Sequence, residues 1–421
     1  TPDEADWSAV QDAINKGLPK TAVEKLEPLA KAAIDNEDYD EAIKAIALKI
    51  SLEGDIEGGK AEEKIVRMLA AIEQSPEPMR PVMDAILANW FWSYFQQNQW
   101  RFMNRTEALG PRGDDINTWS LSQILLEIDQ QFEKALKEAE RLKRIPVAEY
   151  DELLEKGTAP DSYRPTLFDF VAHNAIEFYL SGAQAGNRKQ DAFDLSAESP
   201  IFSPSSDFMD WRPDTSDRES LTLKAIVLYQ QLMRFHEKDA DQSAYLDNDL
   251  ARYHLGNNLA FGEGKDSRFQ TALSRFAEEN AASEISARAL HDLGTALFNL
   301  GSENYVRAHE VATAGVNRFP ESVGGRRCHN LIQQIEGRQL RVATERVWSN
   351  PRPTIDVYYR NVEEIHFRLV PFDFDDVLKS GRFSKYFNLD ENPSNLDSLE
   401  KSSILLTDNS AISCNLRLNV V

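Results

Sequence analysis

Two short stretches begin like catalytic motifs and then depart from them. His309 and Glu310 open like the zinc-binding helix of a metalloprotease, which needs a second histidine four residues after the first. Position 313 is a threonine, so two imidazoles cannot share that helical face. Gly264 and Lys265 match the end of a phosphate-binding loop, but Leu259 stands where its first glycine should be and an aspartate follows the lysine. Neither motif is complete.

An acidic cluster, two cysteines and seven histidines remain as candidate chemical groups. Asp239, Asp241 and the stretch 247–249 could bind calcium, but the glycine and the terminal glutamate of a calcium loop are absent, which favours a solvated acidic turn. Cys328 and Cys414 form no CxxC pair, which argues against a metal site and a disulfide framework. The histidines show no ligand spacing, which favours surface or capping roles. They are His173, His236, His254, His291, His309, His329 and His366.

We therefore expect a protein that is not an enzyme, with no catalytic, cofactor-binding or metal-binding residues. No GxSxG nucleophile motif occurs in the chain. One alternative stays open, because catalytic groups can converge from distant positions. An enzyme acting on envelope polymers would draw its acids from residues 182–217 and would need a cleft containing two carboxyl groups with raised pKa values.

Composition limits the class of partner. The chain has 421 residues, enough for two or three domains, and 42% of them are hydrophobic. Lys and Arg total 47 against 69 Asp and Glu, a formal charge of −22 that repels a phosphate backbone and argues against nucleic acid. No apolar run of about 18 residues could span a membrane. The polar start at Thr1 is not a signal peptide, although a leader or lipid anchor could precede it.

A change of hydrophobic period near residue 338 divides the chain. Up to Glu336 the apolar residues recur at helical spacing, and from Arg338 onward they alternate as in strands. Each helical stripe is too narrow to be buried alone, so the helices should pair across short turns. The predicted segments are a helical domain at 1–181, a long irregular connection at 182–217, helical repeats at 218–337 and a β domain at 338–421.

The densest apolar stretch, Met83 to Trp100, places aromatic residues on nearly all sides of one helix. Stacking of a ligand on Trp90 or Trp92 is one interpretation. Core packing is favoured, because no glycine-opened cleft accompanies the two tryptophans. We expect Trp90→Ala and Trp100→Ala to lower the melting temperature.

Residues 182–217 are too long for an ordinary connection and suggest a functional or mobile segment. Their apolar residues Ile201, Phe202, Phe208 and Trp211 suggest that the segment lies on the helices.

The segment 218–337 contains a degenerate repeat. Leu255-Gly256 is matched by Leu293-Gly294, Ala272 and Phe276 are matched by Ala308 and Ala312, and Phe319-Pro320 closes the second unit. A Leu-Gly pair, small residues and a final proline at this period resemble the tetratricopeptide repeat (TPR), in which small residues let paired helices approach closely. The fold class is therefore predicted as mainly α, a TPR-like helical-hairpin array followed by an antiparallel β segment.

Two strands are predicted within Pro351–Val370. Ile355, Val357 and Tyr359 share one face of the first strand, and Ile365 and Phe367 share one face of the second. We expect these strands to form a half-buried antiparallel pair joined by a tight turn. Two strands alone are marginal, so residues 403–407 and 411–420 should add to the sheet, with 379–400 as a polar insertion.

Several stretches together resemble one family. They are Trp7 with Lys16-Gly-Leu-Pro-Lys-Thr-Ala-Val23, Tyr94-Phe-Gln-Gln-Asn-Gln-Trp-Arg-Phe102 with Asn104-Arg-Thr106, Arg164-Pro-Thr-Leu-Phe-Asp-Phe-Val-Ala-His173, Arg318-Phe-Pro-Glu-Ser322, Cys328-His-Asn-Leu-Ile332, and Tyr359-Arg-Asn-Val362 with Phe367-Arg368. In this order they resemble the N-terminal helical region of bacterial α2-macroglobulin-like proteins and their first macroglobulin-type β-sandwich domain.

The resemblance implies an architecture and a location. The β domain at 338–421 would be a macroglobulin-like sandwich, complete or partial, and the protein would be extracytoplasmic, in the periplasm or at the cell surface. That family traps proteases through a cleaved bait segment and, in many members, a Cys-Gln thioester. Neither Cys328 nor Cys414 lies in such a motif, so none of the family's reactive residues can be placed here.

Two binding functions follow. The favoured one is a non-enzymatic N-terminal scaffold of an α2-macroglobulin-like envelope protein involved in protease trapping or inhibition, with protein partners that include proteases or envelope proteins. The alternative is a free-standing TPR-like adaptor that binds a peptide in a groove, with Asn257, Asn258 and Asn299 as hydrogen-bonding residues.

Overall fold

The computed structural model describes residues 4–59, 61–104, 113, 115–150, 160–181, 193–217, 219–344, 354–368, 401–405 and 414–419. The chain divides into two units, Thr1–Ala272 and Leu273–Val421, with the boundary inside a helix. The four predicted segments do not correspond to this division and stay a prediction. None of the described helices is both long and apolar enough to cross a membrane.

Helices dominate both units, as predicted. The helices are α1 Glu4–Asn15, α2 Pro19–Asp35, α3 Tyr39–Ile56, α4 Ala61–Gln74, α5 Arg80–Met103, α6 Leu121–Lys137, α7 Ala139–Leu142, α8 Leu167–Leu180, α9 Ser205–Asp210, α10 Leu221–His236, α11 Ser243–Leu259, α12 Lys265–Glu279, α13 Ile285–Leu300, α14 Tyr305–Arg318 and α15 Val323–Glu336. The strands are β1 Gln339–Thr344, β2 Thr354–Arg360, β3 Glu364–Arg368, β4 Lys401–Leu405 and β5 Cys414–Asn419. The period change near residue 338 therefore marks the real passage from helix to strand.

In the first unit, helices that follow one another in the chain pack together. Contacts run from α1 to α2, α2 to α3, α3 to α4, α4 to α5 and α5 to α6, and α8 packs against α5, α6 and α10. Pro19 lies at the start of α2, where its missing N–H costs nothing. The apolar stripe of α2 is buried, with Ala22 and Leu26 fully covered. Successive pairing is what narrow stripes on short helices require.

The aromatic helix α5 is the centre of the first unit. Phe91, Trp92, Tyr94 and Phe95 are all buried, so core packing is confirmed for Trp92. Trp100 lies on the same helix with 68% of its surface exposed, so its predicted role in the core is wrong. Gln99 and Met103 near it are exposed as well, so this side of α5 is not part of the core.

The described part of the irregular segment, 193–217, packs on the helices as predicted. Ile201, Phe202 and Phe208 are buried. Arg252 of α11, itself fully buried, donates from Nη1 to the carbonyl of Ile201 at 2.7 Å and from Nη2 to that of Ser203 at 2.8 Å. A buried guanidinium needs several acceptors, and these backbone carbonyls supply them.

The two glycines of the degenerate repeat contact different elements. A Cβ on Gly294 of α13 would lie 2.9 Å from Leu331 Cδ2 and 3.3 Å from the carbonyl of Ala308, so α13 approaches its neighbours α14 and α15 closely. A Cβ on Gly256 of α11 would instead meet the ring of Phe202 at 2.8 Å. The prediction of close helix pairing through these glycines therefore holds for Gly294, whereas Gly256 accommodates the irregular segment.

The second unit carries two small antiparallel sheets. One sheet has the order β1-β2-β5 and the other pairs β3 with β4. Strands β4 and β5 lie at or near the predicted 403–407 and 411–420, whereas 379–400 lies outside the described residues. Val357 is buried and its neighbour Tyr358 is 43% exposed, which confirms the predicted alternation. The five strands that the structure describes do not amount to a full β-sandwich.

The predicted hairpin between β2 and β3 is wrong. Strand β2 pairs with β1 on one edge and β5 on the other, so no edge remains for β3. The turn after Arg360 contains Asn361 with φ of 53°, a left-handed conformation that asparagine tolerates. The Asn361 side chain donates to the carbonyl of Ile335 at 2.8 Å, which holds the turn on α15 and directs β3 into the other sheet.

Candidate functional site

A cavity of about 480 Å³ in the first unit lies between α5 and α8. Its volume falls within the range of small-molecule sites. The residues that line it are Trp92, Phe95, Gln96 and Gln99 of α5, His173, Ile176, Glu177 and Leu180 of α8, the adjoining Ser181, Arg164 before α8, and Tyr229 of α10.

Helical spacing explains which side chains reach the cavity. On α5 the lining residues follow the spacing i, i+3, i+4 and i+7, which places them on one face. On α8 His173 and Glu177 are four residues apart, and Ser181 follows at the same interval. Two amphipathic faces therefore meet with their polar positions toward the opening.

The start of α8 is set by a capping box. The Thr166 side chain accepts the N–H of Asp169, and the Asp169 carboxylate accepts the N–H of Thr166 at 2.9 Å. Pro165 comes just before this cap and Arg164 before Pro165, so the cap determines where the guanidinium emerges. Such reciprocal caps satisfy two helix N–H groups at once.

Aromatic rings form the floor of the cavity. Trp92 is only 3% exposed. Its ring is stacked on that of Phe95 with 5.7 Å between ring centroids, and it makes an edge-to-face contact with Phe178 at a centroid distance of 5.3 Å. Its indole Nε1–H has no hydrogen-bond acceptor in the part of the chain that the structure describes. A buried donor left without an acceptor costs about 1–3 kcal/mol, which an entering acceptor would recover.

Charged and amide groups form the rim. Gln96 donates from Nε2 to Glu177 Oε1 at 2.8 Å and so joins α5 to α8 at one side of the opening. Arg164 is exposed, and none of the ion pairs between described residues includes its guanidinium. The rim therefore carries the carboxylate of Glu177, which is already hydrogen-bonded, and the guanidinium of Arg164, which has no ion-pair partner among the described residues.

His173 is held neutral in the cavity wall. Burial lowers its pKa well below the ordinary 6.5, and the positive charges of Arg164 and His236 lower it further, while a polar contact with Asn248 opposes the shift. Its ring meets the edge of Tyr229 at 6.4 Å. A neutral imidazole can donate through one nitrogen and accept through the other.

A second polar centre, between α8 and the end of α10, was missed in the sequence. His236, 1% exposed, has Nε2 at 2.7 Å from Asp169 Oδ1 and Nδ1 at 2.6 Å from Asp239 Oδ2. Burial alone would lower its pKa, but the hydrogen bonds and charges of the two aspartates outweigh burial and raise the pKa. Of the two expected roles, the surface role is wrong for His236, which is buried at the end of α10 against the capping box of α8.

The prediction for the acidic cluster is corrected in part. Residues 247–249 lie inside α11 and are buried, whereas Asp239 and Asp241 are exposed between α10 and α11. Asp249 Oδ1 pairs with buried Arg252 at 2.7 Å, and Asp239 is engaged by His236. Within the described ranges no group of three or more His, Cys, Asp or Glu residues could hold a metal ion.

The remaining candidate residues are not among those that line the cavity. His309 pairs with Glu336 at 2.8 Å in the second unit. Cys328 is buried, and burial followed by the charge of Asp292 raises the pKa of its thiol to about 12, which makes it inert. The side chain of Cys414 lies outside the described residues. Asn258 and Asn299 are exposed, Asn257 is half-buried, and they are divided between the two units.

The open enzyme alternative depended on two carboxyl groups in one cleft. Burial raises the pKa of Asp84, although Lys134, whose Nζ donates to Asp84 Oδ1 at 2.6 Å, acts in the opposite direction. Burial also raises the pKa of Glu149. Asp84 lies on α5 and Glu149 near Tyr150, so neither comes from 182–217. The described part of that segment, 193–217, supplies backbone carbonyls to Arg252.

Gln96, Gln99 and Arg164 were not identified as site residues from sequence. A signal was present, because the two glutamines continue the face of Trp92 and Phe95 with polar groups. Arg164 could not be placed without knowing that α8 packs on α5. Two of the stretches singled out in the sequence, 94–102 and 164–173, thus meet at one cavity.

No protein-family model matches the chain, and no curated protein matches it significantly.

Proposed function

We propose that this chain is a non-enzymatic scaffold that positions protein partners, as the N-terminal region of a bacterial α2-macroglobulin-like envelope protein that traps proteases. Its location would be extracytoplasmic, and its strands would belong to a macroglobulin-like sandwich. Support comes from the order of the sequence stretches and from a helical array that continues directly into antiparallel strands. The observation that carries the proposal is a buried joint between the sheet and the helices of the second unit.

Arg360 is the first half of this joint. The residue ends β2, is 3% exposed and donates from Nη2 to the carbonyl of Gln334 at 2.7 Å. Its guanidinium lies 5.2 Å from the ring of Tyr305 and 5.7 Å from that of Phe298. A buried guanidinium stacked on aromatic rings holds its strand in one position.

Asn361 is the second half. Its Nδ2 donates to the carbonyl of Ile335 at 2.8 Å and to that of Gly337 at 3.3 Å. These groups lie at the end of α15, where helix carbonyls lack partners within the helix. Arg360 and Asn361 both belong to the stretch 359–362, so the structure supplies a physical role for that stretch. A fixed joint suits a part that holds later domains in place.

The gene tests the family assignment most directly. The native reading frame should be sequenced through and beyond the codon for Val421. We expect further β domains, a bait segment and a Cys-Gln thioester motif. A stop codon soon after Val421 would contradict the scaffold proposal and favour the adaptor.

The joint itself can be tested by amide hydrogen exchange on the 421-residue chain. Arg360→Ala should raise exchange at residues 334–337 and in β2. The matched control is Arg341→Ala, since Arg341 is an exposed arginine of the same sheet that lies 6.0 Å from the ring of Tyr358. Equal exchange in the two variants would count against a joint at Arg360.

The adaptor remains the second candidate because of one observation. Trp100 and Met103 are 68% and 62% exposed on the same helix that lines the cavity. Exposed large apolar residues beside a cavity are typical of a peptide-binding surface. Loss of partner capture in Trp100→Ala with an unchanged melting temperature would favour the adaptor over the scaffold.

A further inference from the structure

We propose that the cavity between α5 and α8 binds an organic monocarboxylate carried on an apolar group, with the carboxylate at Arg164 and the apolar group on Trp92 and Phe95. This function goes beyond the scaffold proposal and does not depend on it.

The guanidinium of Arg164 indicates that the ligand is an anion. The chain carries 69 acidic against 47 basic residues, so carboxylates are the more numerous charged groups. Arg164 lines the cavity without an ion pair to any described residue. Its charge nonetheless acts on the wall, because it lowers the pKa of His173 and opposes the rise in the pKa of Tyr229. A guanidinium in this position matches the planar fork of a carboxylate.

The carboxylate of Glu177 indicates that the ligand carries a single negative charge. This carboxylate shares the rim with Arg164 and is fixed there by the 2.8 Å hydrogen bond from Gln96. A ligand with two negative charges, such as the hydrogen phosphate dianion, would be repelled by Glu177 while gaining only one cation. A monocarboxylate gains the cation and suffers less repulsion.

The floor is the reason for an apolar group. Trp92, Phe95, Ile176 and Leu180 present apolar surface, and an aromatic or branched aliphatic group would fit about 480 Å³ together with its carboxylate. The indole N–H of Trp92 is buried in this floor without an acceptor among the described residues. Gln99, exposed at the rim, offers a further amide donor.

Two sources share this chemistry, a free organic acid and the C-terminal carboxylate of a protein partner. The probes are N-acetylphenylalanine, its amide, a peptide ending in free phenylalanine, the same peptide amidated, and inorganic phosphate. Binding to the 421-residue chain is measured by calorimetry, with tryptophan fluorescence as a second readout because Trp92 lies in the floor.

We expect each free acid to bind at least about tenfold more tightly than its amide, and phosphate not to compete. If the peptide acid binds about tenfold more tightly than N-acetylphenylalanine, the source is a protein C-terminus, and equal affinities point to a free acid. Equal binding of acids and amides, effective competition by phosphate, or no binding of any acid would overturn the proposal.

Arg164→Met should weaken both acids about tenfold or more and leave the weak amide binding unchanged. Arg164→Lys should recover part of the affinity. Glu177→Gln should not weaken binding, since it removes repulsion, and Arg341→Met in the second unit is the matched control. Because Arg164 is exposed, an unchanged melting temperature will show that its variants fold. Equal acid binding by Arg164→Met and Arg341→Met would overturn the role of Arg164.

Discussion

His173 and His236 belong to the same pair of packed helices, and their surroundings shift their pKa values in opposite directions. His236 lies between the carboxylates of Asp169 and Asp239, and its pKa is raised. His173 faces the charge of Arg164 from the wall of the open cavity, and its pKa is lowered. Burial lowers the pKa at both positions. At His173 burial is the main cause and the charge of Arg164 adds to it, whereas at His236 the two aspartates outweigh burial.

The same contrast distinguishes a structural centre from a binding site. Around His236 the polar groups satisfy each other, because Asp169 also accepts from the backbone and hydroxyl of Thr166. Around the cavity an indole N–H and a guanidinium lack such partners within the described residues. A closed network stabilises the fold, whereas an incomplete one leaves interactions for a ligand.

The largest expected loss of stability comes from removing a carboxylate that is hydrogen-bonded to His236. Asp169→Asn should lower the free energy of unfolding by about 3–5 kcal/mol, because it leaves a buried imidazole with one charged partner and weakens the cap of α8. Asp239→Asn is the control and should cost less than about 1 kcal/mol, since Asp239 is 43% exposed. Urea denaturation measures both. Similar losses in the two variants would show that the buried pair is not the stabilising one.

The aromatic floor should come next. Trp92→Ala should cost about 3 kcal/mol, the low end for a buried aromatic residue, because one side of the ring borders the cavity. Trp100→Ala should change the free energy of unfolding by less than about 0.5 kcal/mol, since Trp100 is mostly exposed. Thermal denaturation distinguishes the two. A large loss in Trp100→Ala would place that residue in a contact that the structure does not describe.

The two histidines should give opposite pH dependences of stability. The stabilisation from His236 is fully present below 6.5, the unfolded value, and is lost as pH rises through its raised folded pKa. The unfavourable contribution of His173 is absent above 6.5 and grows as pH falls toward its lowered folded pKa. His236→Gln should therefore remove the loss of stability that occurs as pH rises through the folded pKa of His236. His173→Gln should remove the loss of stability that occurs as pH falls below 6.5.

Imidazole titration by NMR measures the two groups directly. We expect His236 to titrate above 6.5 and His173 to stay neutral well below it. The opposite order would reverse the assignment of charged and neutral partners between the two sites.

The smallest expected effect on stability belongs to the open site. Arg164→Met should change the free energy of unfolding by less than about 0.5 kcal/mol, because an exposed guanidinium without an ion pair contributes little. The matched comparison is Lys224→Met, which breaks a half-buried pair with Asp129 at 2.7 Å and should be more destabilising. Equal losses measured by urea denaturation would mean that Arg164 has a structural partner.

Local pattern predicted the helices well and their partners poorly. The stripe of α2 and the passage from α15 to β1 follow from residue spacing alone. The pairing of β2 depended on strands far along the chain, so a hairpin between neighbouring strands was predicted instead. The exposure of Trp100 could not be predicted from α5 alone, because the same aromatic stretch also contains the buried Trp92.

The candidate site divides in the same way. Its glutamines and its capped helix are visible in the stretches 94–102 and 164–173, but no rule of spacing joins two stretches about seventy residues apart. The buried bridge at His236 was invisible for the same reason, since its partner Asp169 lies on another helix.

By itself the sequence determined the acidic surface, the helical periods and the point at which strands begin, because charge and amphipathic spacing are local properties of the chain. Only the tertiary structure decided which polar groups are satisfied. A carboxylate, an imidazole or a guanidinium acquires its pKa and its role from neighbours within a few ångströms, and packing brings those neighbours together from distant positions.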